Sequence, residues 1–434
     1  MKNKKMIIIA LFISFVLRLL SLDQSLWLDE ATTALVAKMP FIDFFSSFMP
    51  ADFHPPLHYL VSMLWTGVFG ISEVSLRMPS VIFGVLSVYV VYELAKALKQ
   101  KWPIVPALFL ATSGLHIYYS QEARMYAMAT FLVLLTVLFF LKKKWFLFSL
   151  TLPFLFLTDY LSVLIIPVLF IYAFLYSKKN LRKMVLSFAP LGLAVIYWLP
   201  TFVKQLTNGL SVKETMSGWW GILGSVSFKN IILIPIKFII GRVSIDDKTI
   251  YMVVVFVLLA LYGYFIVRAK NKLVWSWFAM CFVLGVLISF FIPTLTYFRY
   301  LFILPAFYLL ISENANKLIV VLVLAVNLTT SAVYLFNSNF HRENWRELAN
   351  IVDQDPIILP TTSQKEALVY YKIDDNVIPK EELTPKDNQI WLSRYVWDVF
   401  DAGDSTRKYI ENLGYNWSGE TSLNGVVFWK YTKQ

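Results

Sequence analysis

About eleven apolar stretches, most near the ~20 residues needed to cross ~30 Å of hydrocarbon, fill the first three quarters of the chain. They lie at 6–22, 79–97, 103–119, 125–141, 145–157, 160–176, 184–203, 250–268, 273–292, 298–312 and 316–336. Of the 434 residues 58% are hydrophobic and 15% charged, an apolar share above the roughly 45–50% of soluble domains. The sequence therefore predicts an α-helical polytopic membrane protein with about eleven transmembrane helices. The stretch 145–157 is short, with Pro153 near its end, which predicts a tight hairpin with 160–176 or a partly re-entrant segment.

Basic residues orient these spans. Lys2/Lys4/Lys5, Lys96/Lys99/Lys101, Lys142/Lys143/Lys144, Lys178/Lys179/Arg182/Lys183 and Arg268/Lys270/Lys272 fall on alternate connections, which predicts a cytoplasmic N-terminus. Segments 23–78, 120–124, 158–159, 204–249 and 293–297, and all that follows 336, are then extracytoplasmic in a multi-pass plasma (inner) membrane protein. The first span resembles a signal peptide, but no small-residue cleavage site follows Leu22 and the alternation needs the span retained. The net charge of +11 is no nucleic-acid signature: from Phe340 onward there are 11 basic and 15 acidic residues, so the positive excess belongs to the membrane domain's cytoplasmic rim, beside anionic membrane lipid. The single cysteine, Cys281, excludes an intrachain disulfide.

The chain divides into a membrane domain, 1–336, and a C-terminal unit, 337–434. In the latter, helix-like 343–352, 363–371 and 404–413 alternate with strand-like 357–359, 390–392 and 426–429, predicting a small extracytoplasmic α/β domain. It carries no phosphate loop and no metal cluster, so the chemistry is expected elsewhere.

Within 23–78, Trp27-Leu28-Asp29-Glu30 precedes His54-Pro55-Pro56-Leu57-His58-Tyr59. Ionisable groups beside hydrocarbon are costly, and a chain that gathers them there usually uses them on a substrate or ion. The competing structural reading is a helix-start acid beside a solvated Glu, since 31–38 reads as a short surface helix. Tyr119-Ser120-Gln121-Glu122-Ala123-Arg124-Met125-Tyr126 and Tyr297-Phe298-Arg299-Tyr300 set further acids and guanidiniums at outer helix ends. Each alone reads as a local pair or a headgroup anchor; together they suit transfer to or from a phosphate-bearing lipid. Region 204–249, with Trp219-Trp220-Gly221 and an amphipathic 228–240, reads as an outer flap or an interfacial helix.

Trp27–Ala31, His54–Tyr59, Ser75-Leu76-Arg77-Met78-Pro79-Ser80, Tyr119–Tyr126, Arg299–Pro305 and Glu343-Asn344-Trp345-Arg346-Glu347 run in the order of the glycosyltransferase family 39-like proteins of the GT-C superfamily. The chain resembles these over roughly residues 1–350, alongside protein O-mannosyltransferases and lipid A aminoarabinose transferases. Where many relatives have Thr-His-Tyr it has Thr158-Asp159-Tyr160, so no role of that His is carried over. The resemblance implies an inverting glycosyltransferase of the cell envelope, moving a sugar from a polyprenyl-phosphate donor to a glycan, lipid or protein hydroxyl at the outer face.

Asp29, Glu30 and Glu122 are then the catalytic candidates, with Asp29 first as base. Arg124, Arg299 and Tyr126 are candidates for the donor phosphate, and His54, His58, Asp159 and Tyr160 for substrate contact. A divalent cation (Mg²⁺, Mn²⁺ or Zn²⁺) is a further candidate, with Glu30 and His54 as its ligands, although their spacing fits no zinc template. The competing reading is that His54 and His58 hydrogen-bond in a helix start shaped by Pro55-Pro56, which suits His58 slightly better than substrate contact does. Two other classes compete. A secondary transporter would place its charges near the midplane with repeated halves; a polysaccharide ligase or polymerase would carry an Arg-rich loop.

Overall fold

The computed structural model describes residues 2–215, 221–352, 355–361, 365–383 and 387–433. Trp219 and Trp220 lie outside the described residues.

In hydrocarbon a backbone must satisfy its own polar groups, so apolar stretches become helices. Among the described residues four helices are long and apolar enough to cross a membrane: Glu73–Ala97, Lys248–Arg268, Lys272–Ser289 and Lys317–Phe336. The pair Lys178–Leu186 and Ala189–Ser211, bent by 43°, makes a fifth span if taken as one. Leu57–Phe69, Tyr126–Leu141, Trp145–Phe156 and Ser162–Tyr176 are shorter apolar helices. The eleven stretches therefore do not become eleven unbroken helices.

The breaks have local causes. Stretch 103–119 divides into Ile104–Thr112 and Gly114–Ser120 at Ser113, which is extended (ψ 117°) and accepts from the His116 N–H at 3.5 Å. The carbonyls this break leaves open, Leu110 and Ala111, accept from Arg18 at 3.3 and 3.1 Å. Stretch 298–312 begins as 3₁₀ turns over Tyr297–Ile303 and turns α-helical at Leu304, with Pro305 in the first turn. Helix Phe228–Ile240 buries Ile234, Ile236, Phe238, Ile239 and Ile240 in the main apolar core, so it belongs to the bundle rather than to a flap.

The first loop forms helix Leu28–Val36, a bent aromatic stretch over 41–51 and helix Leu57–Phe69. Val36, Phe44, Met49, Tyr59 and Trp198 seal them together.

The C-terminal unit holds a four-stranded sheet of β1 (Ile357–Ile358), β2 (Gln389–Ser393), β3 (Tyr415–Leu423) and β4 (Val426–Lys433) in the order β1-β2-β4-β3. β1 and β2 are parallel; the other pairs are antiparallel. Helix Trp345–Val352 packs on one face and Ile410, of helix Ser405–Asn412, on the other. The first face also packs Ala31 of the loop helix, with Leu28 against it, so this unit shares its core with the first loop of the helical domain. β3 was not anticipated, because as an edge strand it carries mostly polar residues. Asn424 and Gly425, with φ 50° and 94°, make its hairpin turn, for which Asn-Gly is a strong sequence sign.

Helices Glu73–Ala97 and Gly114–Ser120 meet at Gly84, where an added Cβ would overlap the Ser120 hydroxyl and press on Arg18. Gly84→Ala should cost roughly 1–3 kcal/mol. Gly67→Ala, where nothing lies within 4 Å, should be neutral or slightly stabilising. Thermal unfolding of the detergent-purified variants checks the contrast.

Candidate active site

Helix Leu28–Val36 carries Asp29 and Glu30 in its first turn. Consecutive helical residues point about 100° apart, so the two carboxylates have opposite fates. Glu30 is fully buried: Arg77 donates to its two oxygens at 2.8 and 2.6 Å, the Ala123 N–H donates at 2.8 Å, and Arg342 Nε lies 3.6 Å away. Arg77 also donates to the carbonyls of Leu22, Gln24 and Ser25 at 2.6–2.9 Å. Burial alone would raise the Glu30 carboxyl, but Arg77, with help from Arg342 and Ala123, brings it below its ordinary value. Both Glu30 oxygens, expected from the sequence to serve catalysis or a metal ion, accept from protein donors in this structure. Among the described residues no group of three His, Cys, Asp or Glu side chains is placed to hold a metal ion, and His54 has cationic Arg124 for a neighbour.

Asp29 points the other way, with 43% of its side chain exposed, and lies 3.5 Å from Arg124, itself only 3% exposed. Arg124 donates to the Tyr59 hydroxyl at 3.2 Å, and its Nη2 is 3.3 Å from the His54 ring nitrogens. His54 in turn lies 3.5 Å from Asp52. Burial would raise the Asp52 carboxyl, but His54 and Arg124 bring it down.

The turn before helix Tyr126–Leu141 is held through its backbone. The Ala123 carbonyl accepts from His58 Nε2 at 2.9 Å and Thr33 Oγ at 3.1 Å, and the Arg124 carbonyl accepts from Ser80 at 3.2 Å. Burial, then the nearby Arg124 charge, pulls His58 down to about 3. The buried His58 ring, expected from the sequence to contact substrate or to hold a helix start, braces the turn from beneath.

Glu122, 2% exposed, pairs with Arg342 at 3.5 Å and not with Arg124, and its Oε1 has no hydrogen-bond partner among the described residues. Burial pushes its carboxyl up, to about 7, against the pull of Arg342. Arg342 and Arg242 both lie over the Tyr118 ring, 4.2 and 4.5 Å from its centroid. Arg242 is open to solvent although Tyr118, Tyr119, Tyr297 and Glu122 crowd it. Arg299 donates to the carbonyls of Pro293 and Leu223 at 2.7 and 3.3 Å, and Tyr126 packs on Phe298 beside it.

Asp159 accepts from the Ser162 N–H at 2.7 Å, capping the turn that leads into the next helix. The Tyr160 hydroxyl donates to Gln205 and accepts from Trp198, and Gln205 donates to the His54 carbonyl. Both residues thus brace the His54 side of the cluster.

Arg77, Arg242, Arg342, Asp52 and Tyr59 were not singled out from sequence. The three arginines carried the sign that marked Arg124 and Arg299: each lies on the side opposite the lysine-rich connections, where the positive-inside rule gives no reason for a cation. Asp52 and Tyr59 had no such sign.

Removing one partner of a buried pair strands the other charge, at a cost of about 3–5 kcal/mol. Glu30→Ala and Arg77→Ala should each lose that much stability, read from thermal unfolding. A carboxyl lowered by folding stabilises above its ordinary value of 4.5, and that contribution fades as pH falls. Glu30→Gln should therefore flatten the acid limb of the stability profile.

Residues 53–203 match the family model described as dolichyl-phosphate-mannose-protein mannosyltransferase. No curated protein sequence matches the chain. Among solved structures the fold is similar to ArnT from Cupriavidus metallidurans bound to undecaprenyl phosphate: TM-score 0.55, 10% identity, covering 99% of this chain and 97% of that one. The oligosaccharyltransferase of Archaeoglobus fulgidus is similar too, with a TM-score of 0.50 in two structures. The apo form is 10% identical, covering 86% of this chain and 64% of that one. The form tethered to an acceptor peptide is 12% identical, covering 99% and 74%. The matched segment begins one residue before His54 and runs through the Glu122–Arg124 turn and Tyr160, and the fold likeness takes in the sheet-bearing C-terminal unit. Over residues 53–203 the chain is thus similar to the O-mannosyltransferase family, and as a whole it shares its fold with ArnT and the archaeal oligosaccharyltransferase.

Proposed function

We propose that the protein is an inverting glycosyltransferase that moves a sugar from a polyprenyl-phosphate donor to an acceptor hydroxyl at the extracytoplasmic face. The observation that carries this reading is the half-exposed Asp29 carboxylate, held 3.5 Å from a nearly buried Arg124 on the side of the membrane domain that also carries Arg242 and Arg299. The lysine-rich connections at the other end favour a cytoplasmic rim there. The donor class is supported by the undecaprenyl phosphate bound to ArnT.

Asp29 takes the proton of the acceptor hydroxyl as its oxygen bonds to the anomeric carbon. The bond from that carbon to the phosphate oxygen breaks on the opposite face, and polyprenyl phosphate leaves with the bonding pair. Negative charge grows on the leaving phosphate, where Arg242 and Arg299 are the accessible guanidiniums. Arg124 orients Asp29. In this reading the phosphate contact expected of Arg124 passes to Arg242, because Arg124 is buried behind the base. Glu343, held by Trp345 Nε1 and the Tyr395 hydroxyl of its own unit, lies near enough to feel the Asp29 charge, on the side where the acceptor would approach.

Asp29→Asn should lower turnover about 10²-fold or more with donor binding nearly unchanged; a fully active variant would remove Asp29 from the mechanism. Arg242→Ala and Arg299→Ala should each weaken binding of a polyprenyl-phosphate sugar by roughly tenfold or more, with Lys restoring only part of it. Arg124→Ala should act mainly on kcat. Titration of a donor panel against the detergent-purified variants separates these outcomes, and unchanged donor affinity in both Arg242→Ala and Arg299→Ala would remove the phosphate clamp.

A further inference from the structure

Helix Glu73–Ala97 begins beside the active site, where Arg77 grips Glu30. Twenty-odd residues on, about 30 Å away at 1.5 Å per residue, its far end borders a second recess at the opposite membrane face. A cavity of about 280 Å³ there is lined by Leu98, Lys99, Gln100, Lys101, Lys270, Asn271 and Glu313.

The charges on its wall are arranged in a particular way. Two neighbouring lysines of this rim, Lys96 and Lys142, both pair with Glu93, at 2.6 and 3.2 Å. Among the described residues Lys99, Lys101 and Lys270 have no carboxylate within ion-pair distance. The one acid in the wall, Glu313, is turned to another use, its two oxygens accepting the backbone N–H groups of Lys270 and Asn271 at 2.9 and 3.2 Å. It thereby pins the Lys270 backbone at the cavity without pairing its ammonium.

The polar lining is also built. Gln100 donates to the Leu309 carbonyl at 2.8 Å and accepts from buried Ser312 at 2.9 Å, which ties the loop to the helix that ends at Glu313. Lys99 closes its own helix with φ 56°, a left-handed position that glycine ordinarily takes. Three lysines around one polar recess leave a local charge of +2 after Glu313, which suits an anionic oxygen cluster of phosphate size.

We propose that this cavity is a binding site for a phosphate group, separate from the catalytic cluster and on the other side of the membrane. Two sources share this chemistry: the headgroup of an anionic lipid in the adjoining leaflet, and free phosphate. The site does not depend on the catalytic assignment above.

The test uses the full chain purified in detergent, its binding read by native mass spectrometry and thermal shift. The probes are short-chain phosphatidylglycerol, the matching phosphatidylcholine and inorganic phosphate. Lys99→Gln/Lys270→Gln removes two charges from the cavity, and Lys142→Gln/Lys143→Gln removes two from the same rim outside it. Expected is phosphatidylglycerol binding that exceeds phosphatidylcholine binding and falls roughly tenfold in the cavity variant alone. Inorganic phosphate that binds and displaces the lipid, with the same dependence on the cavity lysines, would assign the site to the free anion. Equal binding of both lipids without any phosphate binding, or equal losses in the two double variants, would overturn the proposal and leave only the diffuse field of a basic rim. A fully folded cavity variant, judged by its melting profile without ligand, excludes misfolding as the cause of lost binding.

Discussion

The buried pair of Glu30 and Arg77 holds the active-site region together. Neither side chain has any exposure, and in a water-poor interior a lone charge of either sign would cost several kcal/mol. Each must therefore find every partner it can use. Glu30 finds Arg77, Arg342 and the Ala123 N–H; Arg77 finds the carbonyls of Leu22, Gln24 and Ser25. The result is a junction of the first loop, the helix behind it, the 121–125 turn and the chain entering the C-terminal unit. Satisfying one carboxylate thus fixes the relative positions of four segments far apart in sequence.

That junction leaves the Asp29 carboxylate facing outward. A helix turns about 100° per residue, so when Glu30 points inward its neighbour is carried to the surface, where Arg124 meets it. The Arg124 turn is itself fastened through its backbone by Glu30, His58, Thr33 and Ser80. The Asp29 carboxylate is thereby held in a rigid surround, as the proposed role of a base would require. The two ends of the membrane domain use their cations differently. At the Asp29 end most arginines stack on tyrosines or meet acids and carbonyls; at the other end Lys96 and Lys142 pair with Glu93, Lys178 and Lys272 lie over aromatic rings, and Lys99, Lys101 and Lys270 surround a polar recess.

Much of the class was legible in the residues. The apolar runs required a membrane protein, the alternation after 340 required a mixed α/β unit, and the charged segments that drew attention at Asp29, His54, Glu122 and Arg124 do converge. Helix breaks were less legible, because hydropathy cannot see that Ser113 will cap a new helix or that Arg18 will take the carbonyls left behind. β3 was missed because an edge strand needs few apolar residues, although Asn424-Gly425 announced its hairpin.

The roles within the Asp29-Glu30 pair show where sequence stops. Chemically the two carboxylates are nearly alike, and their spacing from any motif differs by one residue. Composition and pattern determined that acids and guanidiniums would gather at one membrane face, since each residue carries its hydrophobicity and charge wherever it is placed. Which acid is spent on structure and which is left exposed was decided only by the fold, because burial and hydrogen-bond partners come from residues such as Arg77 and Arg342, 47 and 312 positions along the chain from Glu30.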